Sequence, residues 1–142
     1  MVTAESCTGG LIGHVITQIP RSSDHYLGGV VSYSNAVKEQ QLGVTAELLS
    51  HTGAVSAEVA EAMAHGILRT CPMAHIALSV TGIAGPDGGS ADKPIGLTYV
   101  AVAVRDGQAV VERHVWSFDR DGNKRATTLA ALELALRTAL AA

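Results

Sequence analysis

The stretch AESCTGG at residues 4–10 sets a hydroxyl and a thiol side by side, Ser6 and Cys7, just ahead of a glycine pair. Where a strand gives way to a turn and a helix, a side chain stands exposed beside free backbone N–H groups. That position suits an acyl-transfer nucleophile, because the N–H groups can hold a developing oxyanion. It also suits a helix cap formed by Ser6 or Thr8, and capping preferences taken alone favour the cap. The neighbours Glu5 and Cys7 exclude the GxSxG elbow of hydrolases. Cys7 competes as nucleophile, but a reactive thiol needs a lowered pKa and usually a histidine partner. None of His14, His25, His51, His65, His75 and His114 is tied to it by spacing. A small buried cysteine is its ordinary role.

A second polar group lies in YSNAVK, where Tyr33, Asn35 and Lys38 fall at a strand end and the start of the next helix. A lysine there is normally solvated. It becomes a base only where burial or neighbouring charge lowers its pKa, and a Ser–Lys pair then needs no histidine.

The third stretch, TGIAGPDGGSADKPIG at 81–96, holds five glycines and two prolines in 16 residues. It lacks the GK[ST] ending of a Walker A site and the GxGxxG spacing of a Rossmann turn. Its backbone can still approach a ligand closely and present N–H groups to a phosphate or oxyanion. Arg120 and Arg125, in FDRDGNKRAT, flank the start of the last helix. Solvated charge is the default there, yet guanidinium groups also suit a phosphate. Metal chemistry finds little support: there is no HExxH, no clustered Cys/His spacing and no EF-hand pattern, and Asp87 with Asp92 cannot specify an ion.

These residues need elements to hold them. Val2 to Ala4 reads as a strand end, LIGHVITQI as a helix stopped by Pro20, and YLGGVVSYS (26–34) as a strand. NAVKEQQLG follows as a short helix closed by Gly43. Thr45 caps AELLSH, and Ser56 caps AEVAEAMAHGILRT, in which Val59, Met63, Ile67 and Cys71 form one apolar face. HIALSVT (75–81) is a buried-type strand, and Asp106-Gly107 marks a hairpin. Leu129, Leu132, Leu136 and Leu140 give the last helix an apolar stripe. The pattern predicts a three-layer α/β/α domain with a mixed β-sheet ending in a β-hairpin.

Composition narrows the classes. The 142 residues are 47% hydrophobic and 16% charged, outside the disordered range, with a net charge of −3. No basic run serves a general phosphate-backbone binder, so nucleic acid is not an expected partner. Two cysteines make no disulfide framework and fit a reduced compartment. No leader-type segment or membrane-length apolar run occurs, so a cytoplasmic protein without membrane contact is expected.

Together AESCTGG (4–10), YSNAVK (33–38), GAVS (53–56) and TGIAGPDGGSADKPIG (81–96) occur in the order and spacing of one family. The chain resembles the CinA C-terminal family, the nicotinamide mononucleotide deamidases, from Thr3 through the final helix. The resemblance implies a single CinA C-terminal-like amidase domain over residues 1–142. It also implies hydrolysis of the carboxamide of nicotinamide mononucleotide to nicotinate mononucleotide and ammonia, a step of pyridine nucleotide salvage. On the family's pattern Ser6 and Lys38 form a Ser–Lys dyad assisted by Tyr33, and neither metal nor organic cofactor takes part. Substrate contacts are expected at Thr8, Gly9, Asn35, Thr81, Gly82, Gly85, Gly88, Gly89, Arg120 and Arg125, with the phosphate at the Gly-rich loop and Arg120 or Arg125. Family members carry a helix before the AESCTGG strand that this sequence lacks. That difference and the leucine stripe are compatible with a homodimer. The competing reading is a noncatalytic nucleotide-binding module linked to competence or DNA-damage responses.

Overall fold

A computed structural model describes all 142 residues. The chain runs β1 (Val2–Glu5), α1 (Leu11–Thr17), a 3-10 turn at Ser22–Asp24, β2 (Gly28–Val31), α2 (Asn35–Leu42), α3 (Ala46–Thr52) and α4 (Ala57–Thr70). It continues through β3 (Ile76–Gly82), β4 (Leu97–Val104), β5 (Ala109–Val115) and α5 (Arg120–Ala141). The five strands form one sheet in the order β2-β1-β3-β4-β5. β1 pairs in parallel with both β2 and β3, whereas β4 and β5 join antiparallel as a hairpin through Asp106-Gly107.

Alternation along the strands builds two cores, because successive side chains point to opposite faces. On one face Val2, Ala4, Ala77, Ala101 and Ala103 meet Leu42, Val44 and Leu49 and the α4 stripe Val59, Met63 and Ile67. On the other, Leu78, Val80, Val100 and Val102 meet Ile12 of α1 and Ala131, Leu134 and Ala135 of α5. Helices therefore cover both faces of a mixed sheet, as expected from the sequence. The small side chains on the α4 face bring helices close together. A Cβ on Gly66 of α4 would lie 2.1 Å from the Leu42 carbonyl oxygen, so only glycine fits that crossing.

The caps at Thr45 and Ser56 fall where the sequence places them, and Ser34 adds one the sequence reading did not name. Ser34, Thr45 and Ser56 each accept a hydrogen bond from the backbone N–H three residues on, and Gly43 closes α2 in the left-handed region.

Two expectations need correction. The strand over 26–34 shrinks to Gly28–Val31, because Tyr26 turns inward to hydrogen-bond the Thr3 hydroxyl and Ser34 already caps α2. The last helix forms, but not with its leucine stripe inward. Leu129, Leu136 and Leu140 are exposed, and α5 instead buries Thr127, Thr128, Ala130, Ala131, Leu134 and Ala135. A sheet face already lined with valine and leucine admits the narrower, alanine-rich side of the helix. No helix is long and apolar enough to cross a membrane.

Candidate active site

The parallel strands β1, β2 and β3 all end at one edge of the sheet, and β1 lies between the other two. In open α/β sheets ligands bind outside such carboxyl ends, where successive connections depart in opposite directions. Ser6 is the first residue beyond β1. Its N–H donates to Val80 O at 3.1 Å, which fixes it against β3. The chain then doubles back: Gly9 N–H donates to Ser6 O at 3.0 Å, and Gly9 and Gly10 take φ of 63° and 103°. A side chain would strain both positions, so the glycine pair is what permits the reversal.

Neither Ser6 nor Thr8 caps α1. Glu5 does so from the preceding strand. Its carboxylate, 2% exposed, accepts from Thr8 Oγ1 (2.6 Å), Gly10 N (3.1 Å), Ile12 N (3.0 Å) and Gly13 N (2.8 Å). The protein's own anion therefore occupies the helix start, and the Ser6 hydroxyl stays free for another partner.

That partner is Lys38. From the first turns of α2 its side chain reaches over the ends of β1 and β2 and is 1% exposed. Nζ donates to Ser6 Oγ at 2.8 Å, to Ser32 O at 2.7 Å and to Tyr33 O at 3.3 Å. Burial lowers the lysine pKa below its ordinary value, because the ammonium loses its hydration. A neutral amine can keep the two carbonyl contacts and turn its lone pair to the Ser6 proton.

Cys7 takes the opposite course. It is buried, and burial pushes its thiol up to about 12 although Lys38 and Lys124 lie nearby. A thiol protonated at neutral pH is a poor nucleophile. The N–H groups of Cys7 and Thr8, in the turn directly after Ser6, make no hydrogen bond to another residue.

Above this pair lies a cleft of about 160 Å³. Its floor is Ser6, Cys7 and Lys38, one wall is Ala54 and Val55, and the other is Thr81, Gly82 and Ala84. Tyr33 and Arg120 stand at its mouth. The Arg120 guanidinium donates to Gly85 O at 2.7 Å and to the Tyr33 hydroxyl at 3.2 Å, bridging the Gly-rich loop and the β2–α2 connection. Asn123, one turn further along α5, is buried and donates to Ala84 O at 2.9 Å. Lys93 ties the loop's far end to Thr52 O.

The structure thus gathers Ser6, Lys38, Tyr33, Thr81, Gly82 and Arg120 around one cleft, with Gly85 held at its rim. The Tyr33 hydroxyl faces Arg120, and only its backbone carbonyl touches Lys38. The Thr81 hydroxyl is engaged with Ala54 O. Other expected contacts lie elsewhere. Thr8 is buried against Glu5, and Asn35 is exposed on α2. Gly88 and Gly89 sit in the outer part of the loop near Ile83 and Ile95, outside the cleft lining. Arg125 is exposed, pairs with Asp121 at 2.7 Å and borders a separate groove between α1 and α5. Gly9 serves the turn through its backbone.

The sequence reading gave no site role to Glu5, Ser32 or Asn123, and Ala54 and Val55 entered it only within the motif GAVS. A glutamate directly before a turn and a helix start was a readable sign for Glu5. The others reach the site only through folding.

The fold and site define a three-layer α/β protein with a buried hydroxyl–amine pair in a cleft at the strand ends of its sheet. The chain belongs to the CinA C-terminal domain family, whose sequence model matches residues 1–139. A putative competence-damage inducible protein of Moorella thermoacetica is 49% identical over 138 residues, covering 97% of this chain but 33% of that protein. The chain therefore spans about a third of the length of such relatives. The nicotinamide-nucleotide amidohydrolase PncC of Escherichia coli K12 is 46% identical over 133 residues, covering 94% of this chain and 80% of that enzyme. Among solved structures, the competence/damage inducible protein CihA of Agrobacterium tumefaciens superposes with a TM-score of 0.93 at 44% identity, covering 96% and 82% of the two chains.

Proposed function

We propose that the chain hydrolyses the carboxamide of nicotinamide mononucleotide, with Ser6 as nucleophile and Lys38 as general base and acid. The observation that carries the reading is the 2.8 Å contact between Lys38 Nζ and Ser6 Oγ in a buried setting that lowers the lysine pKa. A lysine kept only for structure gains nothing from burial beside a serine hydroxyl, whereas a base needs both the proximity and the lowered pKa. The similarity to enterobacterial nicotinamide-nucleotide amidohydrolases supports the choice of substrate.

In this mechanism neutral Lys38 removes the Ser6 proton as Oγ attacks the amide carbon. The carbonyl oxygen gains the charge and is held by the free N–H groups of Cys7 and Thr8. Collapse breaks the C–N bond, and Lys38 returns its proton to the leaving nitrogen, which departs as ammonia. The acyl group remains on Ser6 as an ester. Water then attacks that ester, again giving a proton to Lys38, and release of nicotinate mononucleotide restores the Ser6 hydroxyl. Carbonyls of Ser32 and Tyr33 orient Nζ throughout.

The test is ammonia release from nicotinamide mononucleotide by purified protein, with Ser6→Ala, Lys38→Ala and Cys7→Ala alongside. Turnover lost in the first two variants and kept in the third supports the dyad. Turnover that survives Ser6→Ala but disappears in Cys7→Ala would assign the nucleophile to the thiol. No release by the wild type at millimolar substrate leaves the noncatalytic nucleotide-binding module as the better reading.

A further inference from the structure

The cleft offers one acid–base group to serve two half-reactions. The Thr81 hydroxyl donates to Ala54 O, and the Tyr33 hydroxyl accepts from Arg120 at the mouth. Burial keeps the Cys7 thiol protonated, and a guanidinium such as that of Arg120 gives up no proton. The remaining walls, Ala54, Val55, Gly82 and Ala84, carry no titratable side chain, and neither a histidine nor a carboxylate lines the cleft. Lys38 Nζ is therefore the one group beside Ser6 that can both give and take a proton. The carbonyls of Ser32 and Tyr33 fix the position from which it does so.

This restricts the second half-reaction. Ammonia leaves from the point where Nζ returns a proton to it, and the group that opens the Ser6 ester must give its own proton to the same Nζ. The incoming nucleophile thus takes the place that ammonia vacates. No second base holds a water molecule elsewhere in the cleft, so nothing in it reserves that place for water.

We infer that the acyl group on Ser6 passes to small neutral amines as well as to water, through the position that ammonia vacates. The inference rests on the amidase reading of the site. In the step the amine nitrogen bonds to the acyl carbon and the bond from that carbon to Ser6 Oγ breaks. Lys38 takes the proton from the nitrogen and delivers it to Oγ, so an amide and free enzyme result. With hydroxylamine the product is the hydroxamate of nicotinate mononucleotide. The aromatic acyl group shares a cleft of about 160 Å³ with the nucleophile, which limits the amine to a few atoms. The absence of a carboxylate means that the amine is held as the neutral base.

The experiment gives purified wild-type protein nicotinamide mononucleotide at pH 8 with hydroxylamine, and separately with O-benzylhydroxylamine, a neutral amine on a bulky body. Substrate, nicotinate mononucleotide and captured product are followed by chromatography with mass detection. The hydroxamate is expected to rise in proportion to hydroxylamine at the expense of nicotinate mononucleotide, and to be lost in Ser6→Ala protein. Capture by O-benzylhydroxylamine is expected to be at least about tenfold weaker, a difference of about 1.4 kcal/mol. Turnover to nicotinate mononucleotide alone in molar hydroxylamine overturns the transfer and leaves the amidase reading standing. Equal capture of the two amines overturns entry through the ammonia position, and undiminished hydroxamate in Ser6→Ala protein overturns transfer from Ser6. A wild type that consumes no nicotinamide mononucleotide, with or without amine, overturns the amidase reading and the transfer together.

Discussion

Lys38 Nζ lies 2.8 Å from Ser6 Oγ although 32 residues separate them in the chain, and both side chains are buried. Few arrangements make a lysine so dependent on one hydroxyl and two main-chain carbonyls. The charged form is disfavoured by its surroundings, and that has consequences for both rate and stability.

The rate of amide hydrolysis should climb with pH along a limb set by deprotonation of Lys38, with its midpoint below the ordinary lysine value of 10.5. Stability should climb in the same direction. Between the lowered folded-state pKa and 10.5 the unfolded chain binds more protons than the folded one, so the free energy of unfolding rises with pH across that window. Lys38→Met should remove this rise from urea titrations run at several pH values and reduce kcat by about 100-fold or more. A wild-type profile flat from pH 6 to about 10 would contradict a lysine base of lowered pKa.

Glu5→Gln is expected to destabilise strongly. An amide offers one acceptor oxygen and turns an NH₂ group toward N–H donors that the carboxylate satisfied, leaving buried groups unpaired. The cost is about 3 kcal/mol, or a drop of roughly 10 °C in melting midpoint for a chain of this length. Calorimetry checks this, and a midpoint within about 2 °C of wild type would be inconsistent with it.

Arg120 and Tyr33 should separate in kinetics. Arg120→Ala removes the bridge from α5 to Gly85 O and a cation at the cleft mouth, and should raise KM about tenfold. Tyr33 is 62% exposed and its hydroxyl meets only Arg120, so Tyr33→Phe should change KM by about threefold at most and leave kcat close to wild type. A large kcat loss in Tyr33→Phe would instead make the hydroxyl part of the chemistry.

Cys7 should resist alkylation. It is buried, and its thiol is pushed up to about 12, so almost no thiolate exists at pH 8. Half-buried Cys71, at the end of α4, should react first with iodoacetamide, as read by peptide mass spectrometry. Modification of Cys7 ahead of Cys71 would show that the turn opens readily.

Much of the architecture was legible in the sequence because its signals are local. Thr45 and Ser56 sit where caps belong, Gly43 ends a helix, and Asp106-Gly107 makes the hairpin. The α5 leucines misled because periodicity shows that an apolar stripe exists, not which stripe the sheet accepts. Motif positions named Ser6 and Lys38, which the fold brings to one cleft with Arg120. Arg125, named as the alternative to Arg120, borders a separate groove, a distinction that spacing along one helix start does not carry.

The sequence alone determined the types available, a hydroxyl at a turn, a lysine 32 positions on and a loop rich in glycine, together with the elements that carry them. Tertiary structure decided their chemistry. Whether Ser6 caps a helix or meets a base depends on Glu5 already filling the helix start. Whether Lys38 is a solvated cation or a buried amine depends on how the start of α2 is set over the residues that follow β1 and β2, Ser6 and Ser32. Hydration, proximity and charge pairing act through space between residues far apart in the chain, so no local pattern of residues encodes them.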